Sequence, residues 1–253
     1  HMWIMGGWFT PSVPNPRDVW KSPDGLHWEK VIDEAPWEKS DLPLGLVFKD
    51  RMWHIGGRSL PGTECSNEVW ASTDGANWDL VTPRAQWNPR LGSAGIVFDG
   101  RMWLFGGTAS FYESNTDTLH NDIWSSADGI EWTSHSAYAP WNPRAYAKAV
   151  ELNGRIWLIG GGSWGDVKVP RNDVWCSDNG IDWTCVCEAA PWVPRIWHGC
   201  IVYRDHIWVI AGDDLGETEM LNDVWFSRNG SDWQQLESDV VFSPRHEISP
   251  YVF

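Results

Sequence analysis

The residues best placed to do chemistry with a ligand are three indoles, Trp8, Trp164 and Trp197, joined by Phe111 and Tyr112 on the long loop 108–120. Aromatic faces gathered on one surface suit a sugar ring or a peptide side chain, although the same rings could cap the ends of sheets. Arg90, Arg144, Arg195 and Arg245 each end a (Trp/Phe)-x-Pro-Arg step, a set that Ser40 breaks. A circle of guanidinium groups could capture a carboxylate. The fourfold recurrence favours ion pairing within the framework instead, with Asp122, Asp173, Asp223 or Glu68 as partners, because buried charges are seldom left unpaired. Lys148, His198, His246 and Glu247 neighbour these arginines without recurring, which makes them candidates for ligand contact. No nucleophile elbow, phosphate loop or paired His-x-x-x-His is present.

These side chains must be held by 253 residues of which 22 are Trp, against 5 Tyr and 8 Phe. Lys plus Arg is 19 and Asp plus Glu 34, a formal net charge of −15. A field of that sign argues against nucleic acid or an anionic membrane as partner. No run of 18 apolar residues and no secretory core is seen. The opening His-Met looks like a cloning remnant, so compartment stays open, with a lean to the cytoplasm. Five cysteines, Cys65, Cys176, Cys185, Cys187 and Cys200, are an odd set that reads as buried free thiols and not as a disulfide framework.

The positioning elements are legible from a repeat. Trp20, Trp70, Trp124, Trp175 and Trp225 are each followed after 8 residues by another Trp, and after 9 more by Trp37, Trp87, Trp141, Trp192 or Phe242. A further 16 residues lead to Trp53, Trp103, Trp157 and Trp208, while the remaining interval varies as 17, 17, 21, 18 and 17. A unit of about fifty residues with one elastic loop is the period of a propeller blade. Within a unit, 93–98 reads as strand a and Asp99-Gly100 as a hairpin turn. Residues 102–105 read as strand b, stopped by Gly106-Gly107, and 122–125 as strand c; Asp128-Gly129 turns into strand d. Nineteen Trp are thereby blade positions, and Trp8, Trp164 and Trp197 are left over. The expected fold is all-β, a single five-bladed propeller of four-stranded antiparallel blades over 1–253. Its units run about 1–50, 51–100, 101–154, 155–205 and 206–253, and segment 246–253 pairs with the N-terminal blade to close the ring. Strand geometry puts the b–c and d–a loops on one face, where binding residues are expected.

Gly-Gly after an apolar strand, two spaced aromatics and a Pro-Arg before the next strand resemble the kelch repeat over essentially the whole chain. Trp stands here where kelch units carry Tyr, and the hairpin is one residue longer. The resemblance implies a propeller, and it places His198 where kelch units often have a structural histidine. Similarity to kelch-type sugar-acid mutarotases implies Glu247 as acid–base group and Arg245 as carboxylate anchor, with His198 nearby. Glu113, Asp117 and His120 resemble, one residue short, an iron-binding motif of kelch-type nitrile-specifier proteins that would hold Fe²⁺ or Mn²⁺; a solvated acidic loop is the reading preferred. The same holds for Asp213, Asp214, Glu217 and Glu219 with Ca²⁺. The function expected is a non-catalytic binding module for a carbohydrate or peptide, a monomer with no cofactor.

Overall fold

In a computed structural model, residues 1–7, 15–38, 40–59, 63–113, 115, 117–216, 220–239 and 241–252 are described. They form five antiparallel sheets arranged as a five-bladed β-propeller. Blade one pairs β1 (Met2–Met5), β2 (Val19–Ser22) and β3 (Glu29–Ile32). Blade two has β4 (Leu44–Phe48), β5 (Arg51–Ile55), β6 (Val69–Ser72) and β7 (Asp79–Thr82); blade three has β8 (Ala94–Phe98), β9 (Arg101–Thr108), β10 (Leu119–Ser126) and β11 (Thr133–Ser136). Blade four has β12 (Lys148–Leu152) and β13 (Arg155–Ile159). A small hairpin of β14 (Gly162–Ser163) and β15 (Val169–Pro170) follows, then β16 (Val174–Ser177) and β17 (Thr184–Cys187). Blade five has β18 (Gly199–Tyr203), β19 (His206–Gly212), β20 (Leu221–Ser227) and β21 (Gln234–Gln235).

The turns form as their residues dictate. Asp99 and Gly100 both take positive φ, 47° and 68°, the geometry a two-residue hairpin needs. In each c–d turn a serine hydroxyl accepts the glycine amide, as from Gly129 to Ser126 at 2.8 Å, and an Asp carboxylate or Asn side-chain amide oxygen caps the next two amides. One expectation changes: Gly106-Gly107 does not stop its strand. Both take positive φ, which kinks β9, but pairing resumes with Gly107 opposite His120 and Thr108 opposite Leu119.

The recurring indoles have distinct structural roles. Trp53, Trp103 and Trp157 donate to the carbonyls of Phe48, Phe98 and Leu152 within their own blade. Their rings cover Gly129, Gly180 and Gly230 of the following blade. Trp124, Trp175 and Trp225 donate to Asp122, Asp173 and Asp223. Trp37, Trp87, Trp141 and Trp192 are wholly buried between blades. The five cysteines are free; Cys176 is buried and the others partly so.

The seam between blades five and one differs from the other four. The C-terminal segment occupies the innermost place there, with Ser249, Tyr251 and Val252 lining a recess beside Met2, Trp3 and Met5. It meets blade one across that recess, of about 570 Å³, with no ladder to β1 among the described residues. Pro250 gives one reason, since it has no N–H to donate.

Two histidines are sealed inside the ring. His54 is 2 % exposed and stacked on Trp37 at 4.4 Å, and burial pulls its imidazole down to about 3. His198 is fully buried, and burial holds it well below the ordinary value, as the charges of Lys148 and Arg195 do. The unfolded chain takes up these protons near pH 6.5 while the folded protein resists. Stability is therefore complete above that pH and falls as the pH is lowered, by about 2 kcal/mol for His54 at pH 5. Denaturant unfolding of wild type and His54→Leu at pH 7 and 5 checks this: the variant should lose less on acidification, and an equal loss would refute it.

Candidate functional site

Three of the arginines that a ligand carboxylate could have engaged are used up inside the framework. Arg90, Arg144 and Arg195 are at most 2 % exposed. Each makes a two-pronged pair with Asp122, Asp173 or Asp223 at 2.6–2.8 Å, and each also donates to a carbonyl, of Gly106, Gly160 or Ala211. Their own carbonyls accept from Gly57, Gly107 and Gly161 of the preceding blade, so each arginine ties two blades together. The carboxylates are desolvated, but hydrogen bonds and charge from arginine win and hold them below the usual range. The pairing is the one expected from recurrence, and it removes these residues from ligand contact.

Two positions beyond each arginine, or beyond Ser40 in blade two, the backbone turns left-handed in every blade. Leu42, Gly92, Tyr146, Trp197 and Glu247 have φ of 53–62°. Four of these are side chains that pay for that conformation with strain, a cost tolerated where the surroundings fix it. Amide-to-carbonyl bonds run round the axis at this level, from Gly92 to Leu42, Tyr146 to Gly92 and Glu247 to Trp197. Flanking residues pair with the b–c loops: Asp41 with Arg58, Leu91 with Thr108, Ala145 with Gly162, Ile196 with Asp213. A Cβ at Gly92 would come within 2.7 Å of the Tyr146 ring, so only glycine leaves that ring its place beside Trp197.

Above this layer lies a cup of about 390 Å³. All its walls come from the b–c loops and d–a connections, the face that the strand geometry selects. Phe111 and Trp197 stack at 6.4 Å, Trp164 lies 5.1 Å from Trp197, and Tyr112 stands edge-on to Phe111 at 5.2 Å. His246 faces Trp197 at 5.2 Å, and Glu247 completes that side. The structure thus brings together Trp164, Trp197, Phe111, Tyr112, His246 and Glu247. Trp8, Glu217 and Glu219 lie outside the described residues.

Several lining residues are absent from the sequence reading. Arg58 Nε donates to Asp41 at 2.6 Å with both side chains buried, and the guanidinium lies 3.8 Å over the Phe111 ring. Its Nη1 has no partner among the described residues, nor do Trp197 Nε1 and the Tyr146 hydroxyl. Leu42 and Met220 join them, and Asp213, read from the sequence only as part of an acidic loop, completes the wall. The available signal was the residue after the Gly-Gly pair (Ala211-Gly212 in the last unit), which changes from Trp8 to Arg58, Thr108, Gly162 and Asp213 while the second glycine persists.

Below the cup, a cavity of about 190 Å³ shares Asp41, Leu42, Trp197 and Glu247 with it and adds Ser40 and Lys148. Burial lowers the Lys148 ammonium from its ordinary value and raises the Glu247 carboxyl, although Glu247 is exposed as a residue.

Other expected groups are placed elsewhere. Arg245 is exposed, donates Nε to the Ser243 carbonyl, lies 5.1 Å over Phe242 and lines neither cavity, so it is not joined to Glu247. His198 is sealed between blades, its Cβ 2.9 Å from where a Cβ on Gly212 would sit. Glu113, Asp117 and His120 are not gathered: no group of three metal-ligating side chains exists among the described residues. Burial lowers His120 to about 4. Two recesses of about 440 Å³ lie beside blade five, one at Arg228 and Asp232, the other at Trp208 and Tyr251; neither collects the non-repeating residues.

Compared with protein-family models and with curated proteins, the chain matches none. The five-bladed propeller is compatible with the kelch-type resemblance of its repeats.

Proposed function

We propose that the protein is a binding module whose cup takes a carbohydrate. The observation that carries this reading is the convergence of side chains that break the repeat, Phe111, Tyr112, Trp164 and Trp197, on one concavity at the loop face. Indole and phenyl faces suit the C–H face of a pyranose, and Asp213, His246 and Glu247 at the edge suit its hydroxyls.

Titration of intrinsic Trp fluorescence with hexoses and short glycans tests this, with short peptides as the competing class. Trp164 is half-buried and belongs to no blade core. Trp164→Ala should weaken glycan binding about tenfold, the worth of one stacked ring, and leave the melting temperature nearly unchanged. Binding of peptides alone, or equal binding by Trp164→Ala, would overturn the proposal.

A further inference from the structure

The inner strands of the blades contact one another round the axis through one repeated position. By register with the b strands, Leu44, Ala94, Lys148 and Gly199 are equivalent, opposite Ile55, Phe105, Ile159 and Ile210. Leu44 reaches across to Gly95 of the next blade, where an added Cβ would lie 2.4 Å from Leu44 Cδ2. Gly199 meets Pro250 in the same way. At one junction this apolar contact is replaced: Lys148 faces the position held by Cys200. An ammonium stands where the other blades carry Leu44, Ala94 or Gly199.

No described side chain is bonded to it. Lys148 Nζ has no hydrogen bond or ion pair among the described residues, in contrast to the paired guanidinium groups of Arg58, Arg90, Arg144 and Arg195. The groups whose charge acts on it are Cys200, Glu247 and His198. Burial pushes the Cys200 thiol up to about 12 and holds His198 neutral, so Glu247 is the single anion facing Lys148. Asp41, the other carboxylate of this cavity, is already paired with Arg58. The cavity of about 190 Å³ has room for several waters at about 30 Å³ each, or for a small polar group. Asp41, Leu42, Trp197 and Glu247 border both it and the aromatic cup, so the two cavities adjoin.

We infer that Lys148 is the anion-accepting end of the cup, and that the ligand is a sugar acid whose ring lies against Trp197 and whose carboxylate is held by the Lys148 ammonium. One cation beside Glu247, in a protein of charge −15, suits a monoanionic carboxylate better than a dianionic phosphate. The inference rests on the cup reading above, and deepens it by naming the class of sugar.

The test is isothermal titration of glucose, glucuronate and glucose 6-phosphate against wild type, Lys148→Met and Lys148→Gln. Methionine restores the apolar contact that the other blades make, and glutamine guards against a packing artefact. Wild type should bind glucuronate at least tenfold more tightly than glucose. Both variants should lose that preference while keeping the affinity for glucose. Equal affinity for glucose and glucuronate in wild type would overturn the role of Lys148 and leave the cup reading standing; so would a preference that survives in both variants. Tightest binding of glucose 6-phosphate would replace the carboxylate by a phosphate. Failure of all three sugars to bind would remove the cup reading, and the inference with it.

Discussion

Arg144→Met is expected to destabilise the protein by about 3–5 kcal/mol, the cost of leaving a buried charge without its partner. The guanidinium donates to the Asn142 and Gly160 carbonyls and to both oxygens of Asp173, and its own carbonyl accepts from Gly107. Methionine fills the volume and keeps the backbone bond, so the loss reports the side-chain network. Asp173 would remain desolvated, with Trp175 as its one strong side-chain donor. Arg144→Met combined with Asp173→Asn should therefore be more stable than Arg144→Met alone, because the stranded charge is gone. Arg245 has no ion pair among the described residues, and Arg245→Met should cost no more than about 0.5 kcal/mol. Urea denaturation of the four proteins checks the set. A cost below 1 kcal/mol for Arg144→Met would show that the Arg–Asp pairs do not hold the blades together.

Gly129→Ala is expected to cost about 3 kcal/mol, from positive-φ strain and overpacking together. Gly129 has φ of +78°, and an added Cβ would lie 2.1 Å from the Trp53 ring of the preceding blade. That indole cannot swing aside, since Trp53 Nε1 is tied to the Phe48 carbonyl and the ring is 2 % exposed. Gly25 is the control: its φ is +76°, but the nearest atom is the end of the Met2 side chain at 3.1 Å. Gly25→Ala should cost only the backbone strain, about 1 kcal/mol. Melting curves of both variants decide the matter. Equal losses would mean that the close approach of Trp53 contributes nothing.

The contrast between these two glycines follows the seam. Gly75, Gly129, Gly180 and Gly230 are each covered by an indole from the preceding blade, whereas Gly25 meets Met2 of its own blade. Trp208, which would supply the fifth cover, is instead partly exposed and packs with Phe226 and Tyr203. The repeat implies one geometry for all five junctions. Closure by a segment containing Pro250 yields a different one at the fifth.

How much of the site could be read in advance depends on whether a residue announces itself against the repeat. Trp164, Trp197, Phe111 and Tyr112 did so, being aromatic residues outside the fixed intervals, and the cup gathers all four. Arg58 and Asp41 did not, because a single Arg after Gly-Gly looks like ordinary loop variation. Leu42, Gly92, Tyr146, Trp197 and Glu247 share a left-handed backbone but no side-chain type, so nothing in composition marks them as one set. Arg90, Arg144 and Arg195 were conspicuous for the opposite reason: they recur because every junction needs the same pair.

The number of blades, the strand order within them, the turn chemistry and the pairing of the recurring arginines with carboxylates are legible in the amino-acid sequence, because each follows from short-range periodicity or from a contact that recurs between blades. Which departures from the repeat meet is set by closure of the ring. Closing five blades round an axis brings residues as distant as Asp41, Arg58, Trp164 and Glu247 to one concavity, and sets Lys148 in the adjoining cavity with no hydrogen bond or ion pair among the described residues. Such contacts occur once each, so no periodicity records them, and they depend on the curvature of the whole ring.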